Sequence, residues 1–232
     1  MKFNTLQLKL IAILCMLIDH IAWALVPQAT VLYTAMRIIG RLAAPLFWYC
    51  FVVGYRKTRN RMKYTGRLGI MTLVMGIGNI VINSLIGSEL NVTVSFLQPN
   101  IFFTMFLMGI IIQCIKKMKE AKTEWGKALA VIATIVLSMI VWCVAEYSLI
   151  AWVSILCFYF HKYPGWKRIS FVIANLALCL LFKDYVQIAM ILSVWFIKRF
   201  DEAKPRKSLK LLFYLFYPIH IWLLLWLSTI VG

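Results

Sequence analysis

The chain has 232 residues, 63% of them hydrophobic and 14% charged, with a formal net charge of +17. Its mean hydropathy is +0.86. A soluble domain cannot hide so much apolar surface, because its outside must be faced with polar groups, and this excludes an ordinary soluble protein.

Long apolar runs recur from Leu6 to Val231. A spanning helix needs about 20 such residues. Spans are predicted near 6–26, 33–53, 68–87, 99–115, 128–145, 147–161, 168–183, 185–197 and 211–231. The expected fold is an all-α polytopic transmembrane helical bundle of about nine spans, forming a single domain over residues 1–232.

The first span resembles a signal peptide, with Lys2 and Lys9 ahead of an apolar core and Ala22-Trp23-Ala24 after it. Asp19-His20 interrupts that core and membrane-like sequence follows throughout, so an uncleaved first span is predicted. His20 lies seven residues before Pro27, hence about 10 Å below the outer boundary at a rise of about 1.5 Å per residue. In the second span, Arg37 and Arg41 stack on one helical face at i, i+4. Asn79 and Asn83 share a face of the third span, and Asn100 and Thr104 do so at the outer start of the fourth. Trp142 and Tyr147 read as interfacial anchors. In the ninth span, Tyr217-Pro218-Ile219-His220 carries a second imidazole close to the depth of His20, and Pro218 frees a backbone carbonyl.

The basic residues set the orientation. Five segments, before span one and after spans two, four, six and eight, hold 22 of the 25 Lys and Arg residues. With nine spans they all fall on one side, and Lys/Arg-rich loops stay in the cytoplasm. The N-terminus is therefore expected inside and the C-terminus outside. The same clustering accounts for the net charge through topology and anionic lipid, so no nucleic-acid partner is expected. The six cysteines lie within apolar runs with no C-x-x-C spacing and read as small buried hydrophobes, not metal ligands or disulfides. Asn91-Val92-Thr93 matches a glycosylation sequon too short to be informative.

Asp19, His20, Arg37 and Arg41 are thus expected to meet in the outer half of the membrane. A central Asp or Arg costs roughly 2.5–3.5 kcal/mol on insertion scales, and such residues usually mark pathways or reaction centres. The mid-membrane Asn and Thr residues have a plainer use as hydrogen-bonding glue between helices. A histidine can accept a proton near neutral pH, and arginines and amides can stabilise a developing oxyanion at a dry site. Neighbouring helical residues point about 100° apart, so Asp19 would pair with an arginine while His20 faces the reactant. These properties suit an acid–base enzyme and a proton-coupled small-solute transporter alike. A non-catalytic assembly protein is a third reading, which would tolerate His20→Ala.

The stretches LKLIAILCMLIDHI, MRIIGRLAAPLFWYCFVVGYRKTRNRMKY, NIFFT and FYPIH resemble the TraX family of bacterial membrane proteins, in order and along nearly the whole chain, most weakly over 120–200. The resemblance implies a multi-pass acyltransferase of the bacterial cytoplasmic (inner) membrane. The family's named member acetylates the N-terminus of a conjugative pilin, and related enzymes use cytoplasmic acetyl-CoA. It implies acetyl-CoA as co-substrate and an acceptor such as a pilin-like peptide or an envelope glycan. On that reading His20 is the general base, with His220 in reserve, and Asp19 sets the local charge. Arg37, Arg41, Asn79, Asn83, Asn100, Thr104 and Tyr217 would bind donor or acceptor. Arg56, Lys57, Arg59 and Arg61 could attract the CoA phosphates.

Overall fold

The computed structural model describes residues 2–87, 100–201 and 210–231, and the Asn91 sequon lies outside them. The described residues form ten α-helices: α1 (Thr5–Leu25), α2 (Val31–Gly40), α3 (Ala43–Lys57), α4 (Arg61–Ile86), α5 (Ile101–Glu120), α6 (Glu124–Val144), α7 (Ser148–Phe160), α8 (Pro164–Phe182), α9 (Ser193–Lys198) and α10 (Lys210–Val231), with a 3-10 helix over Tyr185–Leu192 leading into α9. The protein is an all-α polytopic membrane bundle.

Local chemistry sets the helix boundaries. Asn4 and Gln7 form a reciprocal capping box at the start of α1. Thr30, Asn60, Asn100 and Thr123 each accept a hydrogen bond from a backbone N–H in the first turn of α2, α4, α5 and α6. Pro164 opens α8, where its missing N–H costs nothing. The predicted second span is not one helix but two, α2 and α3, separated at Arg41 and Leu42. Pro45 gives the reason: it has no N–H to offer the Arg41 carbonyl, and its ring crowds that carbonyl.

Among the described residues, seven segments are long and apolar enough to cross a membrane: α1, α2 with α3, α4, α5, α6, α8 and α10. The predicted sixth and eighth spans are the shorter apolar segments Ser148–Phe160 and Tyr185–Lys198. α3 lies at the centre, with nearly every residue from Ala43 to Val53 buried. α4, α6 and α8 instead turn Ile, Leu, Val and Trp side chains outward. In water so much exposed apolar surface would drive association, whereas in lipid it is the ordinary outer face.

Contacts between helix ends gather the basic segments together. Phe3 exchanges backbone hydrogen bonds with Arg199 and Asp201, and Lys2 pairs with Asp201 at 3.7 Å. Arg56, at the end of α3, donates to the Tyr159 and His161 carbonyls at the end of α7. Lys119 of α5 sits over the ring of Phe160, and Lys9 of α1 over Phe213 of α10. The bundle therefore has a basic end and an opposite end. Three cavities follow one another between them.

Candidate active site

The polar cluster nearer the opposite end begins at the break between α2 and α3. Arg37 Nη1 donates to Asp19 Oδ2 at 2.7 Å, and Arg41 Nη2 donates to Oδ1 and Oδ2 at 3.1 and 3.3 Å. Both arginines thus converge on one buried carboxylate. Arg41 also gives Nη1 to the Tyr147 hydroxyl at 3.2 Å and to Gln187 Oε1 at 3.5 Å. A pair with this many additional bonds has repaid much of the cost of leaving water. Gly40 makes the approach possible, because a Cβ there would fall inside the Asp19 carboxylate.

His20 points elsewhere, toward α10. Its Nδ1 lies 2.7 Å from His220 Nε2, and the two rings are stacked with centroids 5.0 Å apart. His220 Nδ1 lies 2.6 Å from the Phe216 carbonyl oxygen, which can only accept. That contact fixes the proton on His220 Nδ1, so the Nε2 of the neutral ring is an acceptor and His20 Nδ1 must donate to it. The remaining nitrogen, His20 Nε2, is left with a lone pair. His20 lines the adjoining cavity and His220 does not.

That cavity, about 250 Å³, is also lined by Asp19, Arg37, Arg41, Asn79, Asn100, Glu146, Tyr147 and Tyr217. Asn100 Oδ1 accepts from Phe103 N, and Asn79 Oδ1 accepts from Trp222 Nε1 at 3.2 Å. Thr104 is buried beside the cavity, not on its wall, and donates to the Asn100 and Glu146 carbonyls. Asn83 is exposed on α4 and does not join the others.

Two residues of the connection between α6 and α7 complete the wall. Tyr147 is not an interfacial anchor: it packs edge-on against Trp48 and holds Arg41. Its φ is 59°, and that of Ser148 is 37°. Two successive non-glycine residues in this region store strain and turn the loop inward. Glu146 lines the cavity, and its Oε2 is buried with no hydrogen-bond partner among the described residues. Burial, reinforced by the nearby Asp19 carboxylate and opposed by Arg41 and Arg37, pushes the Glu146 carboxyl up to about 7.

A second cavity, about 80 Å³ and mainly apolar, continues toward the basic end between Ile13, Met16, Phe51, Phe102, Met105 and Tyr217. A third, about 540 Å³, opens among Lys9, Lys57, Arg59, Arg67, Asn60 and Tyr64. Lys57 and Arg59 thus line the basic cavity. Arg56 is engaged with carbonyls, and Arg61 lies over the ring of Tyr55. Tyr217 lines both the first and second cavities, while Lys9, Cys50 and Tyr214 line both the second and third. One stripe of α1, Lys9, Ile13, Met16, His20 and Trp23, runs past all three at helical spacing. Among the described residues no group of three or more His, Cys, Asp or Glu stands where it could hold a metal ion.

A family model described as TraX protein matches residues 5–228. The chain belongs to the TraX family. This TraX chain is 28% identical over 243 aligned residues to a probable fimbrial assembly protein, FimC of serogroup H1, from Dichelobacter nodosus, covering 96% of this chain and 94% of that one. It is 50% identical over 48 residues to an uncharacterized protein of Rickettsia prowazekii (strain Madrid E), covering 21% and 17% of the two chains. No solved structure matches it. Within this TraX chain, Asp19, His20, Arg37, Arg41, Asn79, Asn100 and Tyr217 come together around one cavity, His220 stands behind His20, and Glu146 and Tyr147 join them.

Proposed function

We propose that this protein is an acetyltransferase of the bacterial inner membrane, moving an acetyl group from cytoplasmic acetyl-CoA to an amine or hydroxyl of a peptide or glycan acceptor in the cell envelope. The observation that carries the reading is the shared walls of the three cavities: a basic mouth, an apolar waist and a polar chamber containing a histidine with a free ring nitrogen. A phosphate-rich carrier with a slender arm and a reactive thioester has the same three parts in the same order. From Lys9 to His20 the α1 stripe rises about 16 Å. Family membership and the fimbrial relative support a link to pilin or another surface protein.

In this mechanism the basic end faces the cytoplasm, and Lys9, Lys57, Arg59 and Arg67 attract the nucleotide phosphates. The waist takes the pantetheine arm and presents the thioester to the chamber. His20 Nε2 removes a proton from the acceptor as its lone pair attacks the carbonyl carbon. The imidazolium so formed is held through Nδ1 by His220, which the Phe216 carbonyl keeps in the accepting tautomer. Arg37 and Asn100 face the developing oxyanion. As the C–S bond breaks, the thiolate takes the proton from His20, and the base is restored. Asp19 holds the two arginines in place.

The reading is tested with the purified protein in mild detergent, labelled acetyl-CoA, a small amine or hydroxyl acceptor (alanyl-glycine amide or lactoyl-glycine amide), and His20→Ala at matched folding. Wild type should bind acetyl-CoA and release thiol, and His20→Ala should bind equally while losing turnover by roughly 10²–10⁴-fold, the usual worth of a general base. Well-folded wild type that neither binds nor consumes acetyl-CoA would overturn the proposal.

A further inference from the structure

Most of the strongly polar groups around the chamber already have partners. The Asp19 carboxylate is taken up by Arg37 and Arg41, the Tyr147 hydroxyl by Arg41, and His20 Nδ1 by His220. Glu146 differs: its Oε2 is buried and unpartnered among the described residues. Thr104 pins its carbonyl at 3.3 Å, and the two left-handed residues that follow turn the loop inward. A carboxylate with an empty hydrogen-bonding position in such a place is costly unless something else fills that position.

Proton counting narrows what that is. A hydroxyl acceptor loses one proton on acetylation, which His20 takes and returns to the departing thiolate. A primary amine arrives as an ammonium and must lose one proton before it has a lone pair, then a second as the C–N bond forms. A chamber that takes the amine in as the ammonium therefore needs two proton acceptors facing it. His20 Nε2 is one and Glu146 is the other. Resting on the acetyltransferase reading, we propose that Glu146 is the docking and first proton-accepting group for a primary-amine acceptor, whose ammonium fills the position at Oε2. The balance is ammonium plus thioester giving amide, thiol and one proton. The C–S bond breaks, the C–N bond forms, and the surplus proton leaves from Glu146 to the outer water.

Glu146 faces Asp19 and His20 of α1, Arg37 and Arg41 at the α2–α3 break, Tyr217 of α10 and its own neighbour Tyr147. The test uses the full chain in detergent with acetyl-CoA and two probes, alanyl-glycine amide and its hydroxy counterpart lactoyl-glycine amide. Glu146→Gln keeps the size of the side chain and removes the base. For wild type we expect acetylation of the amine, one proton released per thiol, and a rate that rises through about pH 7. For Glu146→Gln we expect KM for the amine at least tenfold higher at pH 7, with recovery as the pH passes the amine's own pKa of about 8. Glu146→Asp should fall between the two, which a merely structural role would not produce in the pH profile. Should Glu146→Gln fail to fold, Glu146→Asp, matched to wild type by gel filtration and melting, carries the comparison.

An unchanged KM and pH profile in the variants, or preference for the hydroxy probe, overturns the role of Glu146 and leaves the acetyltransferase reading standing. No thiol release by wild type with either probe overturns both.

Discussion

Under the proposed mechanism, replacing His220 with phenylalanine isolates the tautomer relay from the base it serves. In the protein His20 Nδ1 donates to His220 Nε2 across 2.7 Å, and the Phe216 carbonyl 2.6 Å from His220 Nδ1 sets the direction of both bonds. Phe216 already stacks on the His220 ring, so an aromatic replacement keeps the packing. His220→Phe deletes the acceptor. His20 Nδ1–H is then left without a partner, and His20 is free to place its proton on Nε2, the nitrogen that must act as base. In the transition state the loss is larger, because His20 is then an imidazolium and hydrogen bonds to charged groups contribute about 1.5–3 kcal/mol. That range corresponds to roughly a 10- to 150-fold fall in kcat. KM for acetyl-CoA should hold, since His220 does not line the cavity. Thiol release at saturating acetyl-CoA and saturating alanyl-glycine amide is the assay, with His20→Ala beside it. A kcat within threefold of wild type, with His20→Ala inactive, would refute the relay. A loss as complete as that of His20→Ala would refute the assignment differently, making His220 the base itself.

Three further outcomes follow from the geometry. Gly40→Ala drives a methyl group into the Asp19 carboxylate; overpacking costs about 1–3 kcal/mol, so the melting temperature should fall by roughly 3–10 °C, while Gly66→Ala, with open space around it, should not destabilise. A carboxyl raised from 4.5 to about 7 on folding burdens the fold only once it is ionised, so the cost grows from about pH 4.5 to 7 and is complete above. Glu146→Gln should therefore melt higher than wild type at pH 8.5 and at the same temperature near pH 5; equal melting at both would contradict the burial argument. In isothermal titration at low salt, the double variant Lys57→Ala/Arg59→Ala should weaken CoA binding roughly tenfold, at about 0.5–1 kcal/mol per exposed charge. Arg56→Ala and Arg61→Ala, whose side chains are engaged elsewhere, should leave that affinity unchanged.

How much of this was legible in the sequence depended on contrast. Asp19 and His20 stand out because everything around them is apolar, and Arg37 and Arg41 because their spacing puts two costly groups on one face. Binary pattern likewise gave the seven long segments, and even the two short ones lay near where the pattern put them. The break at Arg41 was hidden, although Pro45, four residues on, is the signal that marks it. Asn83 looked equivalent to Asn79, but span depth and i, i+4 spacing do not say which end of a shared face meets a neighbouring helix. Glu146 goes unnoticed because a loop between spans reads as solvent, and Tyr147 because a tyrosine near the membrane boundary reads as an interfacial anchor. Only three residues, 145–147, separate α6 from α7, which is too few for the chain to reach far from the bundle. An acidic residue in so short a connection, far from the lysine-rich loops, was the available clue.

The narrowness of the waist also matters to the cell's energy supply. A bacterial membrane stores work as a charge difference, about 2.3 kcal/mol per elementary charge for each 100 mV. A continuous file of water from one face to the other would discharge it. Here the two polar compartments meet across about 80 Å³ walled chiefly by Ile13, Met16, Phe51, Phe102 and Tyr217. On the proposed reading that oily collar would interrupt the water file at rest, and a threaded donor arm would keep it interrupted during turnover. An acetyltransferase so built would join the two faces of the membrane without shorting the battery.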